Sequence, residues 1–209
     1  MENVTTRTSN PFGMRAPRYV RDGERTAVYG YGDANADFHL VGDYPGVHGG
    51  VATGVPFTGT DAGRRLMQVM HDVGFVDDPA SDRPTLSNLY ASYVHASVTP
   101  GGRRPTEKEY DDLERFFDAE LRAINAHILL PVDDHATWHV LREYTTQERK
   151  FDPGDDLHAR QIRGRGFLVV PVRDPADWDD ADEADLRATL EAILDSDYRQ
   201  TKGVATLVG

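Results

Sequence analysis

Two rhythms of apolar residues alternate along this chain. Short, mostly apolar runs such as Phe38–Val41, Ile128–Val132 and Phe167–Val172 are separated by longer stretches where apolar residues recur every three or four positions. The first rhythm suits buried strands and the second suits helices with one covered face. The pattern predicts strands over 37–42, 85–91, 127–132 and 167–172, and helices over 60–74, 106–124, 134–144 and 181–196. In the second helix Leu113, Phe116, Phe117, Leu121 and Ile124 share a face, and Thr106 with Glu109 forms a capping box behind Pro105. The last helix repeats the spacing with Leu186, Leu190, Ile193 and Leu194. Strand and helix alternate four times, which implies an α/β protein: a three-layer α/β/α sandwich around a central four-stranded parallel sheet. Residues 1–30 show neither rhythm and are expected to form an irregular arm. Residues 31–209 are expected to form a single domain, because no linker divides them.

The first strand runs into Gly42-Asp43-Tyr44-Pro45-Gly46, and Gly54-Val55-Pro56-Phe57-Thr58-Gly59 follows eight residues after that turn. Glycines directly after a strand let backbone amides approach a ligand, and open α/β sheets bind ligands at the carboxyl ends of their strands. This turn is therefore expected to be a pocket wall.

Composition narrows the chemistry. The chain has 209 residues, with 35 acidic against 23 basic, and the only lysines are Lys108, Lys150 and Lys202. An Asp-rich, Lys-poor chain repels itself at ordinary salt, and this repulsion is screened at molar salt, where the Debye length is about 3 Å. Composition therefore leaves two settings, a halophilic cytoplasm, which is the one expected, and an acidic mesophilic protein with no nucleic-acid partner. Cysteine is absent, which excludes disulfides, thiol nucleophiles and cysteine-held metal clusters, and the eight histidines show no metal spacing. No metal and no cofactor are expected. No apolar run reaches the length needed to span a membrane, so no membrane association is expected either.

The motifs together resemble the uracil-DNA glycosylase superfamily, over about residues 25 to 196. They are most similar to its bacterial and archaeal branch that usually carries an iron–sulfur cluster, the family 4-like proteins. Gly42-Asp43-Tyr44-Pro45-Gly46 stands where that branch usually has Gly-Glu-Ala-Pro-Gly, and Gly54 to Gly63 resembles its Gly-x-Pro-Phe-x-Gly-x-x-Gly segment. Leu86-Ser87-Asn88-Leu89-Tyr90 looks like the strand bearing the base-reading Asn, and Pro100 to Glu107 is similar to the family's Pro-rich, Arg-bearing loop and helix start. Gly166 to Ala176 occupies the place of a strand ending in His-Pro-Ser, with Asp174 in the His position. The cluster cysteines are replaced, Ser97 and Phe116 standing in their region.

The resemblance implies removal of uracil or another deaminated base from DNA by hydrolysis of the N-glycosidic bond, in base excision repair. On that reading Asp43 orients water or stabilises the cationic sugar, and Asp174 takes the leaving-group position. Gly42, Asp43, Phe57 and Asn88 hold the base. Pro45, Gly46, Arg103, Arg104 and Arg173 contact DNA, with Trp178 as a wedge; the protein is expected to act as a monomer. Asp174 would repel the anion that uracil becomes on departure, and Asp177, Asp179, Asp180 and Asp182 around Trp178 would face phosphates. A competing reading is therefore a catalytically degenerate member that binds a nucleobase, nucleotide or damaged DNA without cleavage.

Overall fold

The computed structural model describes residues 8, 9 and 27–198. Most of the arm expected at 1–30 lies outside them. Its described part contributes strand β1 (Thr8–Ser9) and an isolated bridge from Ala27 to Ser97. Next come β2 (Tyr31–Gly32), β3 (Phe38–Gly42), the single-turn helix α1 (Pro45–His48), α2 (Asp61–Asp72) and β4 (Leu89–Tyr93). Helix α3 (Glu107–Ile124), β5 (Ile128–Pro131), α4 (Asp134–Tyr144), β6 (Ile162–Gly164), β7 (Phe167–Val169) and α5 (Asp180–Leu194) complete the order.

The sheet order is β1-β2-β4-β3-β5-β7-β6. Its centre, β4-β3-β5-β7, is the expected set of four parallel strands, and short antiparallel strands extend it at both edges to seven. The period-two alternation of each strand sorts its side chains to two covered faces. Phe38, Leu40, Leu89, Ala91, Ile128 and Leu130 pack with Leu66, Met70, Leu186 and Leu190 of α2 and α5. Val41, Leu129 and Val169 pack on the other face with Phe117, Leu121, Val140 and Leu141 of α3 and α4. Both faces are covered by helices, which makes the three layers.

Helix starts follow their capping chemistry. Thr106 and Glu109 form the expected box on α3, Asp179 and Asp182 form another on α5, and the Thr60 side chain accepts the Gly63 N–H at the start of α2. On α3, Phe116 falls off the buried face, where its ring lies under the Arg115 guanidinium, and Glu120 takes an inward position instead. The second central strand starts later than its sequence pattern predicts, because Asn88 has φ 56° and breaks the extended run just before Leu89. Among the described residues no helix is long and apolar enough to cross a membrane.

Between α3 and the sheet lies a sealed polar chain. The Tyr90 hydroxyl donates to Glu120 at 2.8 Å, and Ser92 Oγ lies 2.7 Å from His39 Nε2 and also bonds Glu120. Burial pushes the Glu120 carboxyl up to about 7 against the opposing hydrogen bonds of Tyr90 and Ser92, and burial holds His39 neutral, down to about 3. The folded Glu120 therefore binds a proton more tightly than the unfolded one. Its contribution to stability is fully present below the usual Glu range and is lost as pH rises to about 7. Neutral His39 carries the opposite linkage below its ordinary value of 6.5 and offsets the Glu120 slope there, so the melting temperature is expected to fall between about pH 6.5 and 7, and Glu120→Gln should remove that fall in a thermal melt series. An unchanged slope in the variant would place the pH dependence elsewhere.

Candidate active site

The carboxyl edge of the parallel sheet gathers the site. Asp43 follows β3, Asp133 follows β5, and Asp174 follows the segment after β7, where Val172 bridges Val132. These three aspartates open into one cleft of about 540 Å³, lined also by Tyr44, Val47, Arg104, His135 and Trp138. Asp43 and Asp174, expected from sequence to share a pocket, both line this cleft.

Asp43 is the most tightly held of the three, its side chain only 4% exposed. The Tyr110 hydroxyl of α3 donates to its Oδ1 at 2.5 Å, His135 Nδ1 in the first turn of α4 lies 2.9 Å from the same oxygen, and Arg104 approaches Oδ2 at 3.7 Å. Burial, the largest influence, favours the neutral acid. The contacts and charges of His135, Tyr110 and Arg104 together outweigh it and hold the carboxyl below its ordinary value. Asp43 is thus a preformed carboxylate at neutral pH. Asp174 is half-buried and accepts one bond, from the Ala176 N–H at 3.0 Å.

Behind the turn lies an aromatic floor. A Cβ on Gly42 would meet Phe57 and Tyr93 ring carbons at 2.8 Å, so only glycine allows those rings to pack against the strand end. Phe57 is 1% exposed, has φ 60°, and donates its N–H to the Tyr93 hydroxyl at 2.8 Å. The same hydroxyl donates to the Gly49 carbonyl at 3.1 Å. His48 stacks on Tyr93 and contacts Asp133 Oδ2 at 2.7 Å, while Asp133 Oδ1 accepts the Ala136 N–H and caps α4. Asp133 does this with φ 76°, a strained backbone for a residue with a side chain. The aromatic side chains that line the cleft are those of Tyr44 and Trp138, both half-buried, and not the expected Phe57.

Several expected site residues are elsewhere. Asn88 stands at the amino end of β4, and its side chain accepts the Asp37 N–H at 2.8 Å and donates to the Tyr198 hydroxyl at 3.2 Å. The parallel register sets Tyr93, not Asn88, beside Gly42, so Asn88 is a strand-start residue at the far edge of the sheet and no base reader. Trp178 is corrected likewise. It is 6% exposed, packs in the core with α2 and α5, and donates Nε1–H to the Arg173 carbonyl at 2.8 Å, so it cannot wedge into a duplex. Arg173 borders the cleft but is spent on Asp156 and Asp182, at 2.8 and 2.7 Å. Arg103 is likewise paired with both carboxylate oxygens of Glu109 at 2.8 Å. Pro45 is buried as the first residue of α1, and Gly46 is exposed where a Cβ would strike the Tyr44 ring and the Gly102 carbonyl. Arg104 faces the pocket carboxylate, an inward role that the sequence did not suggest.

Tyr110, His135, Asp133, His48, Tyr93 and Trp138 belong to the site or its floor without a motif that singles them out. The Asp133-Asp134-His135 run sits at a strand's carboxyl end, the same signal that singled out Asp43. Counting five residues of parallel register from Asn88 leads to Tyr93.

The superfamily model described as Uracil DNA glycosylase superfamily matches residues 29–190, most of the chain. The chain belongs to this superfamily. Type-5 uracil-DNA glycosylase of Thermus thermophilus is 36% identical over 96 residues, covering 45% of this chain and 44% of that protein. The protein of the same name from Pyrobaculum aerophilum is 27% identical over 136 residues, 64% of this chain and 60% of the relative. That of Mycobacterium leprae is 29% identical over 105 residues, covering 48% and 45%. The chain thus spans about half the length of these curated relatives. A superfamily member without cysteine has no thiolates to hold an iron–sulfur cluster. In this member Ser97 is buried and bridges Ala27. Among the described residues no group of three or more His, Asp or Glu side chains is arranged to hold a metal ion.

Proposed function

We propose that this superfamily member hydrolyses the N-glycosidic bond of uracil or another deaminated base in DNA. One observation carries the reading: the Asp43 carboxylate, fixed by Tyr110 and His135, is held ionised at the strand end of a base-sized cleft. A fixed negative charge beside the sugar stabilises the cation that develops as the bond breaks, and it can accept a proton from attacking water. Tyr44 and Trp138 offer the flat faces on which an extruded base would stack. Arg104, 59% exposed at the cleft, is the cation best placed to meet a phosphate. Asp-rich, Lys-poor composition supports action as a monomer in a salt-rich cytoplasm.

The second reading, binding without cleavage, rests on Asp174, which offers uracil's departing oxygen an acceptor where a donor would help. The deciding experiment incubates the full chain at high salt with single- and double-stranded oligonucleotides carrying one uracil, hypoxanthine or xanthine. Base release by the parent is the expected result. Silence in the parent with uracil release by Asp174→His would establish the binding reading, and silence in both would remove the reading of uracil or another deaminated base as the substrate.

A further inference from the structure

The cleft beside Asp43 is acidic in a way that removal of uracil does not call for. Five aspartates line it; Asp43 is met by His135 and Arg104 and Asp133 by His48, which leaves Asp134, Asp174 and Asp177 with no ion pair among the described residues. Of the two arginines on its wall, Arg173 is committed to Asp156 and Asp182, and Arg104 leans toward Asp43. Among these same carboxylates stand the side chains of Tyr44 and Trp138. Carboxylates interleaved with open aromatic faces are the surroundings that favour a flat cation, through charge attraction and through the negative face of the ring, best in Trp. Phosphate and uracil anion both fit such a wall poorly.

From this we infer that the site also takes, and prefers, a base that carries fixed positive charge: a purine alkylated on a ring nitrogen, such as 7-methylguanine or 3-methyladenine. The inference rests on the reading of this cleft as one where an N-glycosidic bond is hydrolysed, and it goes beyond that reading in naming the base. When uracil leaves, the electron pair of the C1′–N1 bond makes it an anion, and a donor opposite must stabilise it. When a cationic purine leaves, the electron pair of the C1′–N9 bond neutralises the ring, and the base departs uncharged. Water then bonds to C1′ and gives up one proton, to Asp43 and then to solvent. No donor to the leaving group is required, so Asp174 in the leaving-group position ceases to be an obstacle. Its charge holds the cation in place until the bond breaks.

The test uses the full chain, an oligonucleotide with one uracil, an oligonucleotide treated with a methylating agent, and the free nucleoside 7-methyl-2′-deoxyguanosine. Each rate is corrected for release without protein, because cationic purines also depart spontaneously. The parent is expected to release methylated purines faster than uracil, and Asp174→Asn to move the two rates in opposite directions, methylated purine down by roughly tenfold, the effect of one lost charge in a partly shielded site, and uracil up. Asp177→Asn, at an exposed residue whose side chain makes no hydrogen bond among the described residues, should lower methylated-purine release to a smaller degree without risk to folding. Release from the oligonucleotide or from the nucleoside supports the inference and tells which form of the base the cleft accepts. Uracil release equal to or faster than that of methylated purines, or an Asp174→Asn variant in which both rates move together, overturns it while leaving the glycosylase reading intact. Absence of release from every substrate overturns both.

Discussion

Asp43→Asn is expected to lower base release by about 10²- to 10³-fold, the scale of losing one preorganised charge beside a reacting centre. The substitution keeps the shape of the side chain and removes its charge, and with it the attraction that holds Arg104 and His135 toward the pocket. Single-turnover rates on a uracil oligonucleotide, with binding measured separately, separate loss of chemistry from loss of affinity. A variant that binds as the parent does but cleaves no more slowly would exclude Asp43 from the chemistry. Tyr110→Phe should have a smaller effect of the same sign. Removing the donated bond lets the carboxyl drift toward its ordinary value, and the acid limb of the pH–rate profile should move upward, since protonating Asp43 removes the charge that assists the reaction.

The second large effect is structural. In the first turn of α2 a Cβ on Gly63 would lie 2.2 Å from the Phe57 carbonyl oxygen and 2.8 Å from its carbon, both backbone atoms that cannot swing aside. Gly63→Ala must therefore push the Phe57 segment away from the helix. Overpacking of this kind costs about 3 kcal/mol, which for a domain of this size is a drop of roughly 6 to 12 °C in melting temperature. The displaced segment also carries the N–H that bonds Tyr93, so disorder should spread to the floor under Gly42. A melting temperature within about 1 °C of the parent would show that the close approach is relaxed in solution.

The layered fold was legible because the signals for it are local. Short apolar runs such as Phe38-His39-Leu40-Val41 and the Thr106/Glu109 box are written within a few residues, and packing then confirms what they predispose. The glycine turn was legible for the same reason, and so was Asp174, which lies one short segment beyond a recognisable strand. Asn88 failed because its strand begins only after it. Five residues of register at about 3.3 Å each carry it roughly 16 Å from the cleft, and nothing in Leu86-Ser87-Asn88-Leu89-Tyr90 marks which end of the strand faces the ligand. Trp178 failed because a large aromatic in an acidic loop suits a wedge or a core plug equally, and only contact with α2 and α5 decides. Tyr110 and His135 reach Asp43 from two helices distant in sequence, and no periodicity reports such a meeting.

The intramolecular pairing of Arg103 with Glu109 and of Arg173 with Asp156 and Asp182 bears on how affinity for a nucleic acid responds to its medium. Each phosphate that a free arginine neutralises expels condensed counterions, and affinity falls with the logarithm of salt in proportion to their number. A surface whose arginines are already neutralised by its own acids has few ions to expel. Its hold on a polyanion is weak in dilute buffer, yet it loses little when the medium becomes concentrated brine.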